Sequence, residues 1–282
     1  PSGYDLNTDG RVVTTVPDVP ASPEDGDVAP QSDAGRAYGG DAWGFGTFPG
    51  QYGMALFVRD DLTVLRDSIR TFRLLEWSAM PDALVPVDST SGERWYAPEE
   101  WDAMRLSSKS HWDVPVRTPS GRVLHVLASH PTPPGFDGAA DRNGRRNHDE
   151  IRLWADYLSD AAYVEDDSGR VGGLHAGAAF VVLGDQNADP DEGDGRSGAI
   201  QQLLDHPRVH DPGPTASAAG QRAFPKLDAD DTAQWGLRAD YVLPSGTVTV
   251  VDSGVWRPLR APAVPVSDHF PVWVDVVVSD AQ

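Results

Sequence analysis

Two oxygen-bearing side chains, Asp185 and Asn187, follow an apolar run, Phe180 to Leu183, and the glycine that ends it, within AFVVLGDQNADP at 179–190. Alternation puts both on one face just past a strand end, where a rigid sheet can hold polar groups in an open cleft. A carboxylate there can orient a water or hold a cation, and an amide can donate to an anionic oxygen. The same residues also suit a plain turn, since Gly, Asp and Asn are favoured in turns. His130 closes RVLHVLAS and meets PTPPG, which cannot continue a strand. Asp240 precedes an apolar run in ADYVL at 239–243, and Ser267-Asp268-His269 leads into FPVWVDVVV. Arg142, Arg145 and Arg146 make a local excess of positive charge, readable as a solvated loop or as a clamp on phosphate. Asp5, Asn7 and Asp9, with Gly10 after them, match the first half of a calcium loop of the EF-hand kind. Val16 stands where the bidentate Glu belongs, with Asp18 two residues later, so a solvated acidic turn is the equal alternative.

The elements that must carry these groups are legible in outline. Pro1 to Ala42, rich in Pro, Gly and Asp, reads as an irregular surface segment. Gly44 to Gly50 is a glycine-aromatic loop, and Tyr52 to Val58 reads as a buried strand. Ser68 to Pro86 reads as strand then loop. Pro98-Glu99-Glu100 opens a short helix, with acids toward its positive end. His111 to Arg117 and Arg122 to Ser129 form a hairpin across Pro119-Ser120-Gly121. Asn147 is expected to cap a helix whose apolar stripe is Ile151, Trp154, Ala155 and Leu158. A short helix is expected at 198–204, an irregular stretch at 207–236, and strands at 238–243, 248–255 and 270–278. One domain over 1–282 is expected, because neither an internal repeat nor a dividing linker is visible.

Composition bounds the chemistry. With 282 residues, 39% hydrophobic content and nine tryptophans, the chain can bury a sizeable core. The absence of cysteine excludes disulfides, thiolate zinc sites and cysteine nucleophiles. No run is long and apolar enough for a membrane span, and an acidic chain of this kind suits a secreted or extracellular bacterial protein. A net charge of −20 leaves no strong nucleic-acid footprint, yet a bound divalent cation can still present a phosphate ester with positive charge.

The order of the motifs, a strand-end His130, then GDQN at 184–187, ADYVL at 239–243 and SDH at 267–269, resembles the endonuclease/exonuclease/phosphatase (DNase I-like) superfamily over about Phe45 to Val278. SSKSHWDVPV at 107–116 and SHPTPPGFDG at 129–138 resemble a bacterial, actinobacterial branch. The resemblance implies an α/β fold of four layers, two packed mixed β-sheets with outer helices. It implies a phosphoesterase that hydrolyses a phosphomonoester or phosphodiester by direct attack of water, with Mg²⁺ or Mn²⁺ as cofactor and a nuclease as a further alternative. By that resemblance His269 is the general base or proton carrier oriented by Asp240, and Asp185 positions water. Asn187 and His130 contact phosphoryl oxygens, and Asp268 joins Asp185 as metal ligand. The family also opens with an Asn-bearing strand and a Glu-bearing strand that nothing here matches. Glu24 lies in the irregular opening, and Glu76 comes after the segment where that ligand belongs. The expectation is therefore a chain without the family's N-terminal strands, whether cleaved, omitted or supplied as a separate polypeptide, and so either poorly stable or retaining its own cleaved N-terminal fragment as partner. Otherwise it would be an impaired module that binds phosphate or calcium.

Overall fold

The computed structural model describes residues 1–17, 32–259 and 267–278, so Asp18 and Glu24 lie outside the described residues. In chain order the elements are α1 (Asp33–Gly40), β1 (Thr63–Val64), β2 (Arg70–Thr71), α2 (Pro98–Ala103), β3 (His111–Arg117), β4 (Val123–Ser129), α3 (Arg142–Leu158) and β5 (Ala179–Asp185). After them come α4 (Gln201–Leu204), α5 (Ala218–Ala223), β6 (Asp240–Pro244), β7 (Thr249–Val255) and β8 (Val272–Val277). No helix among the described residues is long and apolar enough to cross a membrane.

The α/β architecture with two sheets is the expected one. A mixed six-stranded sheet runs β1-β3-β4-β5-β6, with β2 also paired to β3, and β7 and β8 form an antiparallel pair. Among the described strands of this sheet only β4 and β5 pair in parallel, with the crossover carrying α3, so Ser129 and Asp185 finish at the same end of the sheet. β6 runs back antiparallel, which sets its first residue, Asp240, directly opposite Asp185.

Period-2 alternation sorts the sheet into two apolar faces. Leu127, Phe180, Val182, Tyr241 and Leu243 join the core with Trp154, Tyr157 and Ile151 of α3. Val114, Val116, Val126 and Val181 form a smaller cluster on the other face, covered in part by Leu56, Val58 and Ile69.

Four local expectations need correction. The opening is not purely surface: Leu6 and Tyr38 are buried, and Ser32 caps α1 by accepting from the Gly35 N–H. Tyr52 to Val58 pairs with no strand among the described residues, although its alternation survives. Leu56 and Val58 pack on the sheet while Phe57 is 93% exposed. The helix expected from Asn147 starts at Arg142, because Asp137 accepts from the Asn143 and Gly144 N–H groups and fixes the first turn earlier. The 207–236 stretch contains α5, capped by Ser217.

The close approach of β4 to β5 has one strict requirement. Gly184 has φ +134°, and a Cβ there would lie 2.0 Å from the Ser129 carbonyl oxygen. Gly184→Ala is expected to destabilise the fold by about 3 kcal/mol or more, from steric overlap plus backbone strain. Urea unfolding measures it; a loss under about 1 kcal/mol would show that the strands part easily here.

Candidate active site

Three strand boundaries converge at one end of the large sheet. Asp185 ends β5, Asp240 begins β6, and His269 precedes β8. One ligating atom from each lies within 4.8 Å of the others, the one such group of three among the described residues. His269 Nδ1 is 2.7 Å from Asp240 Oδ2, and its Nε2 is 3.8 Å from Asp185 Oδ2. His130 Nε2 approaches the same Asp185 oxygen at 3.6 Å, so one carboxylate lies between two imidazoles.

The backbone fixes these side chains. The Asn187 N–H donates to Asp185 Oδ1 at 2.8 Å, and Asn187 holds a left-handed φ of 50° that Asn tolerates better than most residues. Its Nδ2 donates to the Pro131 carbonyl beside His130, tying the two strand ends together. Buried Thr232 donates to Asp240 Oδ2 at 2.8 Å and accepts from the Ala239 and Asp240 N–H groups. The Trp235 ring meets the His269 ring edge-on, with centroids 4.9 Å apart.

The two imidazoles are pushed in opposite directions. The hydrogen bond to Asp240 raises His269 to about 9, against the cost of its burial. Burial lowers His130 to about 4, helped by the Lys109 ammonium. Asp185 is raised to about 6 by burial and by Asp240, with His269 opposing. At neutral pH the set is an imidazolium, a carboxylate and a neutral imidazole. Environments that drive neighbouring titratable groups apart are what separate acid from base roles.

A pH dependence of stability follows. His269 is raised from 6.5 to about 9, so its contribution is complete below pH 6.5 and is lost as pH rises through about 9. The stability advantage of wild type over His269→Asn is expected to shrink across that interval without added cation. Unfolding curves at pH 6.5 and 9 check this, and a constant difference would remove the ion pair.

The other candidates lie outside that group. Asp268 is exposed, adjoins His269 and acts on it electrostatically, and its carbonyl accepts from the Gln234 N–H. Arg146 is buried, and its guanidinium donates to the Leu106 and Arg105 carbonyls rather than facing the cluster. Arg145 donates to the Val85 carbonyl and lies 3.8 Å from Asp141, so its charge is also engaged within the fold. Asp5, Asn7 and Asp9 accept from the N–H groups of Asp9, Gly10 and Arg11, their own turn. Glu76 is exposed beside a single bridge to Arg105.

Two residues of α3 support the site in ways the sequence pattern does not show. Glu150 is fully buried and accepts from the Ser108 and Thr132 N–H groups, joining the approach to β3 to the loop after His130. Asn147 donates to the Thr132 and Gln186 carbonyls. Both lie on the stripe of Ile151 and Trp154 at i, i+3, i+4 and i+7, which was the available signal.

The profile of the Endonuclease/Exonuclease/phosphatase family matches residues 14–269. No curated protein sequence matches the chain. Among solved structures it is similar to the human Nocturnin catalytic domain with bound sulfate, at 14% identity and a TM-score of 0.44, covering 78% of this chain and 62% of that one. An endonuclease/exonuclease/phosphatase from Bacteroides vulgatus is similar at 14% identity and a TM-score of 0.43, covering 79% and 69%. A mannosyl-6-phosphatase from Bacteroides thetaiotaomicron gives 14% identity and 0.43, covering 78% and 69%. The chain thus spans less than two thirds of the Nocturnin domain's length.

Proposed function

Because the chain belongs to the Endonuclease/Exonuclease/phosphatase family, we propose that it hydrolyses a small phosphate ester by direct attack of water with a divalent cation bound. The observation that carries this reading is the convergence of Asp185, Asp240 and His269, with His130 beside them. Two carboxylates beside an imidazole suit a hard cation such as Mg²⁺ or Mn²⁺. Asp185 and Asp240 would hold it, and such an ion would supply positive charge against phosphoryl oxygens.

The chain's own residues do the rest. Asp185, anionic at neutral pH, accepts a hydrogen bond from water, aims it at phosphorus and takes its proton as the new P–O bond forms and the P–O bond to the leaving group breaks. His269, oriented by its Nδ1 hydrogen bond to Asp240, presents Nε2 beside Asp185, where it would donate a proton to the leaving oxygen. Neutral His130 and the Asn187 amide supply hydrogen bonds to the phosphoryl oxygens as negative charge grows on them. Neither step needs a covalent intermediate. A net charge of −20 favours a small ester over a polynucleotide, whose phosphates would be repelled at long range.

The test is hydrolysis of p-nitrophenyl phosphate and bis-p-nitrophenyl phosphate after EDTA treatment, then with Mg²⁺ or Mn²⁺ restored. Restored turnover of either ester is expected, together with a melting temperature raised by the ion. Neither turnover nor a thermal shift with either ion would sink the proposal.

A further inference from the structure

A cleft of about 460 Å³ opens between the glycine-aromatic loop and the start of β3. It shares the end of the sheet that bears the catalytic cluster, since the first residue of β3, His111, pairs with Ser129 next to His130. The wall is a built one. A Cβ on Gly44 would lie 1.7 Å from the Ser108 carbonyl oxygen, so the loop is seated directly on the chain leading into β3.

Two features of the lining point to a ligand. Phe45, Phe48 and Trp112 present aromatic surface. Arg73 and Lys109 bring positive charge into a chain that is otherwise strongly acidic. The one lining carboxylate, Asp167, is already engaged by the Thr71 hydroxyl and the Arg73 and Leu74 N–H groups. Lys109 links the two regions. It lines the cleft, donates to the Pro131 carbonyl at 3.3 Å, and acts electrostatically on both Asp185 and His130. An ammonium carries three donors, so that one contact leaves capacity for an anion.

We infer that this cleft holds a phosphorylated sugar ring, with Lys109 binding the phosphate at the junction with the cluster and the ring lying against Phe45 and Trp112. The assignment rests on the phosphoesterase reading for what happens next to that phosphate, but not for binding itself. Aromatic faces receive the C–H side of a sugar, and the Gln51 amide N–H groups, whose carbonyl oxygen is taken by Thr47, meet its hydroxyls. The ring is either free or part of a nucleotide, and both present the same sugar phosphate to Lys109.

The deciding experiment is calorimetry on the whole chain with EDTA present, so that binding is read apart from turnover. The probes are ribose 5-phosphate, adenosine 5′-monophosphate, phenyl phosphate and inorganic phosphate. Ribose 5-phosphate or the nucleotide is expected to bind more tightly than both controls, and the tighter of the two identifies the source of the ring. Lys109→Gln is expected to weaken all four about tenfold or more, the scale of a lost charge-assisted hydrogen bond. Phe45→Ala is expected to weaken the sugar-bearing probes about fivefold and to spare inorganic phosphate. Arg73→Gln, on an exposed side chain, gives a second charge test should Lys109→Gln fail to fold. Sugar phosphates binding no better than phenyl phosphate, or indifference to loss of either cation, would overturn the inference. Tight binding without hydrolysis under any metal would overturn the phosphoesterase reading and leave the cleft standing.

Discussion

His269→Ala is expected to lower kcat/KM for p-nitrophenyl phosphate with Mg²⁺ by about 10³-fold or more while the protein stays folded. The size follows from the usual range for a positioned acid or base, about 10² to 10⁴, with the loss of a nearby positive charge added. The fold should survive because the side chain is 27% exposed and its contacts are to Asp240, Asp185 and Trp235 rather than to the main core. Added imidazole should restore part of the rate at the vacated site. Activity within threefold of wild type, in a variant with an unchanged circular dichroism spectrum, would remove His269 from the reaction.

The largest stability effect is expected far from the chemistry, at Arg70. Its guanidinium is nearly buried and donates to Asp166 Oδ2, the Gly172 carbonyl and the Arg170 carbonyl, each at 2.7 Å. It also lies over the Phe72 and Tyr157 rings at 5.2 Å. Burial would raise Asp166, but Ser168, Arg170 and Arg70 together hold its carboxyl below the ordinary range. Arg70→Met keeps most of the volume and removes the donors, leaving a buried carboxylate and two carbonyls short of partners. A loss of about 3–5 kcal/mol is expected, as for other buried pairs broken from one side. Arg70→Lys should recover only part, because an ammonium cannot reproduce the three-way fork. Guanidinium unfolding reads both variants; a cost under about 1 kcal/mol for Arg70→Met would mean that Arg170 and Ser168 suffice.

What could be read from the sequence was whatever sits at an element boundary. Asp185, Asp240 and His269 each adjoin a strong apolar run, and a run ending in a carboxylate or histidine is visible in one dimension. The β3–β4 hairpin and the α3 stripe were legible for the same reason. Lys109, Glu150 and Thr232 were not, because their roles depend on which distant backbone groups they meet. Glu150 serves Ser108 and Thr132, 42 and 18 residues away. Arg146 misled for the converse reason: a cluster of like charges suggests a ligand, but carbonyls of the 105–106 segment take up its donors. Tyr52 to Val58 shows the limit of periodicity, since alternation specifies faces while pairing needs a neighbour that the pattern cannot name.

The parallel pairing of β4 with β5 has a kinetic consequence. The hairpin of β3 and β4 closes over a short turn, whereas β5 can join β4 only after α3 and its flanking loops have been laid across the sheet. Contacts that close long loops form slowly, because chain entropy must be lost before the pairing compensates. His130 and Asp185 are therefore expected to come together in that late step, with a further closure of His269 onto Asp240. During refolding, hairpin signals should therefore appear well before the cluster does, and the contacts of His269 with Asp240 and Asp185 should be the last to form.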